Sequence, residues 1–570
     1  MSAPTTELIW AIVALTVVGL VGGLKLFTPF DGDQALFLYT AEVIDKGGVL
    51  YVDVWDLKQP GIFWFYLAGG RLFGFDSLGI KEFELVWMLA FALTLILCLR
   101  RTFRHPWLGS AAAIASIGSY YTFAGAQELT QVEMLVAFPM FLSCWMLVRR
   151  YRSGPQAHLA RLVAGALAAV CVVFKLPYAP IFVVMVLLAI VDTADDRRPM
   201  TLLRTAFALG IPYTVGVAAV LLPVCLFLLQ QGTLDALIWI SFVFPFDSLQ
   251  AAPVVAPFGR LLRDIKWYAV CLGSWLVFAV LPVLRALRRD EPALMRQMIV
   301  WIIVACLLIV VQFNAFWKYH FFLLFVPGAV LAARGIDLLL TRLTTASVPT
   351  LTGGGERQPP VRALSPAVLS LFLVLPAAGA MVVSFDAQSQ AFYQMMFSSQ
   401  RIGLEGYRRA VGKDYGWVAE KFASLRMPGG EPIYVLGNPL VYLVTQRAQA
   451  LPIHGWSWEM LPPSYWAALP GQLAAAHPAY VFLGRFYRRM FPETPPYGPE
   501  VIAYLDANYD VVWDEEWTGR LYRRRSPPPD GGRAVPESSG RDGAAGRGAS
   551  TGSMPGSVPI DSAPTGTVPR

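Results

Sequence analysis

Charge is scarce in this 570-residue chain. Asp, Glu, Lys and Arg together make up 15% of it, against about 25% in ordinary soluble domains. No globular core is large enough to hide the apolar surplus left over, 56% hydrophobic residues at a mean hydropathy of +0.51. A simple soluble enzyme is thereby excluded, and most of the chain belongs in a bilayer. Cysteine is sparse too: Cys98, Cys144, Cys171, Cys225, Cys271 and Cys306 each sit inside an apolar run. None has a CxxC or Cys/His spacing, which argues against a zinc site or a disulfide framework. A Gly-rich phosphate loop of the Rossmann or Walker kind is missing, which disfavours nucleotide-dependent chemistry. No internal repeat is visible. Acidic residues are outnumbered, 39 against 46 Lys and Arg, for a net charge of +7. In a membrane chain that excess reads first as topology and lipid contact, and only then as affinity for nucleic acid. Aromatics stand at 13%, with 17 Trp, which suits interfacial belts and sugar-stacking surfaces alike.

What is present is a series of apolar runs, each of about 20 residues and so long enough to span a bilayer. They lie near 8–26, 80–99, 107–124, 131–148, 160–175, 177–192, 204–229, 268–287, 298–313, 319–338 and 364–384. The first lacks a basic flank and a clear cleavage site, so it reads as a span rather than a signal peptide. Pro177 interrupts one continuous stretch and leaves open a re-entrant hairpin at 160–192. The connecting segments alternate in character. Five are short and basic, among them Arg100, Arg101 and Arg104, then Arg149, Arg150 and Arg152, then Arg285, Arg288 and Arg289. By the positive-inside rule these are cytoplasmic. The N-terminus is then inside, and residues 27–79, about 230–267 and everything after 385 are outside. The fold class expected is a polytopic α-helical membrane protein of about 11 spans.

Two stretches stand apart. Within 27–79, DQALFLYTAEVIDKGG reads as a helix closed by Gly47 and Gly48, and PGIFWFYLAGGRLFG as a short aromatic one. Both suit the outer interface. Residues 385–525 turn polar and Pro-rich, with strand-like runs PIYVLG, AYVFLG and YDVVW between helical stretches. They predict a small α/β extracytoplasmic domain. Residues 526–570 are low-complexity with almost nothing to bury, the composition of a disordered tail.

The residues able to do chemistry concentrate in the first outer loop. Asp31 and Asp33 sit where the first span leaves the membrane; Asp53, Asp56 and Lys58 come just before the turn at Pro60-Gly61. A carboxylate and an ammonium on rigid interfacial elements, facing one groove, suit a general base for an incoming hydroxyl and a fixed charge for a lipid phosphate. The bland account is a helix cap at Asp33 and a snorkelling Lys58. The segment Asp33-Gln34-Ala35-Leu36-Phe37-Leu38-Tyr39, followed by Tyr51-Val52-Asp53-Val54-Trp55-Asp56-Leu57-Lys58-Gln59-Pro60-Gly61, resembles the first outer loop of GT-C glycosyltransferases. The match is to bacterial members of glycosyltransferase family 39, which are similar to protein O-mannosyltransferases and the lipid A aminoarabinose transferase. Gln34 stands where the family has Glu, and Gln59 where it has the first Pro of the turn.

The resemblance implies a GT-C-like catalytic module over residues 1–384. It would transfer a sugar from a polyprenyl-phosphate donor to an acceptor, with inversion. Asp33 would be the base and Lys58 a ligand of the donor phosphate. Further cations are then expected nearby. Lys175 closes one span, and Lys318 and His320 open another; all three are candidates for the phosphate, with headgroup snorkelling as the alternative. Glu133 and Glu128, with Asp56 and Asp31, are candidates to orient sugar or acceptor; the alternative for the two glutamates is a water-facing helix cap. Gln34 in place of Glu leans against a divalent cation, and no metal ligand set is expected. Arg260, Arg263, Asp264 and Lys266 read as a solvated charged face, with approach to the lipid carrier as the alternative. In the outer domain, Gly437-Asn438-Pro439 and the cluster His454, Trp456, Trp458 and Glu459 carry only a weak signal for sugar stacking. The partners implied are a membrane lipid carrier and a glycan, glycolipid or protein acceptor, with no nucleic acid. A transporter for a lipid-linked saccharide, or an inactive relative serving in an assembly, would share the hydrophobicity. A transporter, however, tends to show broken helices or repeated halves.

Overall fold

The computed structural model describes residues 3–149, 151, 154–247, 257–311, 317–345, 392–397, 402–425, 430–456, 461–490 and 498–525. The protein is a multi-pass helical membrane protein carrying one small sheet. Among the described residues seven helices are long and apolar enough to cross a bilayer: Thr5–Lys25, Ser77–Leu99, Gly154–Phe174, Leu176–Thr193, Pro199–Gln230, Ala293–Val311 and Lys318–Arg342. The pair Phe258–Gly273 and Trp275–Leu287, bent by 90° between its halves, is apolar enough only when the two are taken together, as a broken span or a re-entrant loop. The stretch interrupted by Pro177 thus forms two separate spans, each long enough by itself. The expected runs at 107–124 and 131–148 are built from shorter pieces. A π-helical turn, Ile114–Gly118, sits between Leu108–Ala113 and Ser119–Phe123; Val132–Leu135 is followed by Ala137–Val148. Ser116 returns its hydroxyl to the carbonyl of Ala112 at 2.7 Å, a local bond that competes with the helical ladder. The run at 364–384 lies outside the described residues.

Four helices frame the first loop. Helix α1 (Ala3–Lys25) ends beside α2 (Asp33–Asp45), α3 (Gly61–Phe73) follows, and α4 (Ser77–Leu99) re-enters the bundle. The start of α4 is written in the sequence, since Asp76 caps it by accepting from the N–H groups of Leu78 and Gly79, both at 2.8 Å. Helix α2 buries Gln34 to Leu38 along with Thr40 and Ala41, and Phe37 meets Phe63 and Tyr66 of α3 edge to face. At Gly61 a Cβ would fall 2.8 Å from the backbone of Phe174. Only glycine therefore lets the start of α3 rest on the end of the Gly154–Phe174 helix.

The sheet holds strands β1 (Ile433–Leu436), β2 (Tyr480–Gly484), β3 (Tyr509–Glu515) and β4 (Gly519–Arg524) in the order β1-β2-β4-β3. The β1–β2 pair is parallel and the other two are antiparallel. The three predicted strand runs are strands, whereas β4 escaped the pattern because three arginines mask its alternation. This region is welded to the first loop rather than hung beside it. Trp55 donates its N–H to the carbonyl of Pro452 at 2.9 Å, Tyr39 stacks on Tyr442, and the Tyr39 hydroxyl accepts from the N–H of Gln449 at 2.6 Å.

Candidate functional site

Asp33 is the first residue of α2. The chain reaches it through Gly32, whose φ of +57° is a left-handed conformation that side chains rarely adopt. Lys58 lies on the turn before α3. Its backbone N–H donates to Asp56 Oδ1 at 3.1 Å, and its carbonyl accepts from the Tyr51 hydroxyl at 2.8 Å. Tyr51 is itself at a positive φ of 71°, an unfavourable backbone state for an aromatic residue and one of the kind found at ligand sites. These supports bring Lys58 Nζ to 3.4 Å from Asp33 Oδ2 and over the ring of Phe37. The other carboxylate oxygen of Asp33 accepts from the indole N–H of Trp456 at 2.7 Å.

Burial pushes the Asp33 carboxyl up, but the Lys58 ammonium, the Trp456 hydrogen bond and His454 outweigh it and hold it below the ordinary carboxylate range. Burial likewise pulls Lys58 down, and Asp33 and Asp56 together hold it above the ordinary lysine value. The two are therefore charged together at neutral pH. Beside them Asp56 Oδ2 faces His454 Nε2 at 3.8 Å, too long for a hydrogen bond, and both buried atoms lack a hydrogen-bond partner. His454 Nδ1 accepts from the N–H of Trp456 at 3.1 Å, which puts the ring proton on Nε2, towards Asp56. Burial lowers the His454 pKa.

A second group adjoins the first. Glu133 is buried and takes Lys175 Nζ at 2.8 Å and the Tyr178 hydroxyl at 3.0 Å, with His320 Nε2 at 4.0 Å. His320 Nδ1 is buried without a hydrogen-bond partner, beside a small cavity walled by Leu308, Ile309 and Leu323. Lys318 stands 4.0 Å from Glu128, which accepts from the N–H of Gly125. Asp31 accepts from Gln127 at 3.1 Å and from the side-chain amide of Asn438. Asp53 is on the surface and caps a turn through the N–H of Val49. Arg260 lies over the Trp317 ring and Arg263 pairs with Asp264.

Segment 124–133 ties both groups to the bundle. Ala124 accepts from Lys25 at 2.7 Å, Leu129 accepts from the Gln34 amide, and Thr130 donates its hydroxyl to Glu84 at 2.8 Å. Thr130 sits at φ +54°, an outlier for a β-branched residue. Gln34, read as a missing carboxylate, is here a donor to a buried carbonyl, a bond that an ionised Glu cannot make. Lys25, Lys81 and Glu84, all buried, escaped notice as candidates. The signal was available, since Lys25, Lys81 and Glu84 all fall inside predicted spans, where an ionisable residue is by default functional. Trp458 and Glu459 lie outside the described residues. Among the described residues no three His, Cys, Asp or Glu side chains gather as metal ligands.

The chain is similar in structure to ArnT from Cupriavidus metallidurans. Against its apo state the identity is 14% over 91% of this chain and 98% of that one, with a TM-score of 0.47; against the form bound to undecaprenyl phosphate, 14% over the same shares with 0.48. It is also similar to the oligosaccharyltransferase AglB from Archaeoglobus fulgidus, solved with an inhibitory peptide and a dolichol-phosphate. There the identity is 12% over 92% of this chain and 75% of that one, with a TM-score of 0.46. A search of curated proteins finds no match. A family model, that of the competence-induced Ccs4 N-terminal domain, matches residues 5–348.

Proposed function

The chain belongs to the competence-induced Ccs4 N-terminal domain family, and from the chemistry around Asp33 we propose that it is a membrane glycosyltransferase. It moves a sugar from a polyprenyl-phosphate donor to an acceptor hydroxyl at the outer face of the cytoplasmic membrane. In this reading the N-terminus is cytoplasmic, residues 1–384 form the catalytic module and residues 385–525 the outer domain. The observation that carries it is the Asp33–Lys58 pair at 3.4 Å, a carboxylate and an ammonium that an incoming phosphate would separate.

At rest Lys58 holds Asp33 ionised and weakly basic. A donor phosphate competes for the ammonium, and the carboxylate left behind regains basicity. The acceptor oxygen then attacks the anomeric carbon from the side opposite the phosphate. Its proton passes to Asp33, the new C–O bond forms as the bond to the phosphate oxygen breaks, and the electron pair leaves on the phosphate. The anomeric configuration inverts. The lipid monophosphate gains negative charge, which Lys58 stabilises, with Lys175, Lys318 and His320 as further cations or donors. Glu133, Glu128, Asp56 and Asp31 remain to accept from sugar or acceptor hydroxyls.

The test is transfer of labelled sugar from polyprenyl-phosphate donors in membranes holding the wild type or Asp33→Asn, with native extract as acceptor. The wild type transfers label, and the equally abundant Asn variant loses about 100-fold or more, the scale of positioned proton transfer. Equal transfer by both makes Asp33 a helix cap. No transfer by either, with every sugar offered, moves the transporter and assembly readings ahead.

A further inference from the structure

The outer sheet region reaches the two aspartates of the first loop through two side chains far away in sequence. Asn438, on the turn after β1, accepts from the N–H of Gly32 at 3.2 Å and from that of Leu440 at 3.0 Å, while its amide donates to Asp31. Trp456 donates its indole N–H to Asp33 at 2.7 Å across 423 residues of chain. Its ring also occupies the space over Gly32, where an added Cβ would fall 3.0 Å from Cζ2. The positive φ and the ring both favour glycine at position 32.

From this geometry we infer that Trp456 is a positioning residue, orienting the Asp33 carboxylate from the outer region while Asn438 fixes the turn on which that carboxylate stands. The inference rests on Asp33 being the base. A hydrogen bond to either oxygen restricts the turning of an aspartate carboxylate about its last bond. Here Lys58 holds one oxygen and Trp456 the other, while the Tyr319 hydroxyl, from the turn Lys318–Leu324, and His454 also face the carboxylate. When a donor phosphate draws Lys58 away, the indole bond is what keeps a lone pair of Oδ2 pointed at the acceptor. Phenylalanine keeps an aromatic ring there, though a smaller one, and lacks the N–H, so it removes the bond to Asp33. A tryptophan present only for packing, or for stacking on sugar, would not depend on that bond.

Trp456→Phe tests this, read in the full-length protein by kcat, donor KM and the pH dependence of transfer. The expected result is a folded enzyme with kcat lower by about 10-fold, the weight of one hydrogen bond to a charged group. Donor KM stays unchanged, and the acid limb moves to higher pH because a bond that stabilised the carboxylate is gone. Trp456→His restores an N–H and recovers part of the loss. If the Phe variant does not accumulate, Gly32→Ala displaces the ring by its Cβ and must lower kcat with the same shift of the limb. Wild-type kcat and acid limb in a folded Phe or Ala variant, while Asp33→Asn is inactive, overturn the positioning role and leave the base intact. Activity retained in Asp33→Asn overturns both.

Discussion

Two clusters of buried charge sit at opposite ends of the bundle and are built differently. Away from Asp33, Glu291 takes Arg334 on one oxygen and Arg285 on the other, each at 2.7 Å. Asp337 takes Arg334 at 2.8 Å and His105 at 2.9 Å, together with the backbone N–H groups of Arg104 and His105. No carboxylate oxygen is left over there. At the Asp33 end the separations stretch to 3.4, 3.8 and 4.0 Å, and Asp56 Oδ2, His454 Nε2 and His320 Nδ1 have no hydrogen-bond partner. A buried unsatisfied polar atom is costly. The first cluster has the form of a staple between loops; the second has the form of a site waiting for a polar ligand.

That contrast can be broken in order of size. Glu291→Gln should cost about 3–5 kcal/mol, the range for removing one partner of a buried pair. It should appear as lost folded protein or an early melting transition in detergent, and a variant as stable as wild type would undo the staple. Asp33→Asn should do the reverse, lowering transfer about 100-fold or more as above while its melting temperature falls less than that of Glu291→Gln, because Asp33 and Lys58 are both partly exposed. Lys58→Met should lower transfer by about 10-fold or more and raise donor KM, as expected for a lost contact to a charged phosphate. Loss of the neighbouring ammonium also lets the Asp33 carboxyl rise, so the acid limb of that variant should move upward. Glu133→Gln should be smallest, about 10-fold or less in transfer, because Lys175 and Tyr178 keep a hydrogen-bond acceptor. Stability should follow pH with a definite sign. The low Asp33 pKa contributes stability above the ordinary carboxylate range, lost as pH falls through the folded value. The raised Lys58 pKa contributes below 10.5, lost as pH rises through the folded value.

Much of this architecture was legible from local rules. Glycines at 47 and 48 end α2, the strand-like runs PIYVLG, AYVFLG and YDVVW give three strands, and Asp33 and Lys58, singled out in the first loop, come together as an ion pair. The break in the run 107–124 was hidden, because a π-helical turn leaves hydropathy unchanged. The β4 strand was hidden by Arg520, Arg523 and Arg524, which face partners outside the apolar core. Lys25 and Thr130 could not be assigned from spacing, since each matters through a carbonyl or carboxylate on another helix. Trp456 carried only an aromatic's ambiguity. Its bond to Asp33 depends on how the outer region docks, which no local pattern encodes.

The separation of 423 positions between Asp33 and Trp456 also sets an order of events during synthesis. The first loop emerges early, when α1 and α4 have entered the membrane and nothing yet holds the DGD turn. Its aspartates receive Asn438 and Trp456 as anchors only after the last large stretch of chain is made and has folded against them. On the proposed reading, a ribosome-bound intermediate would have the base without its orientation, and transfer would begin near the end of biogenesis rather than span by span.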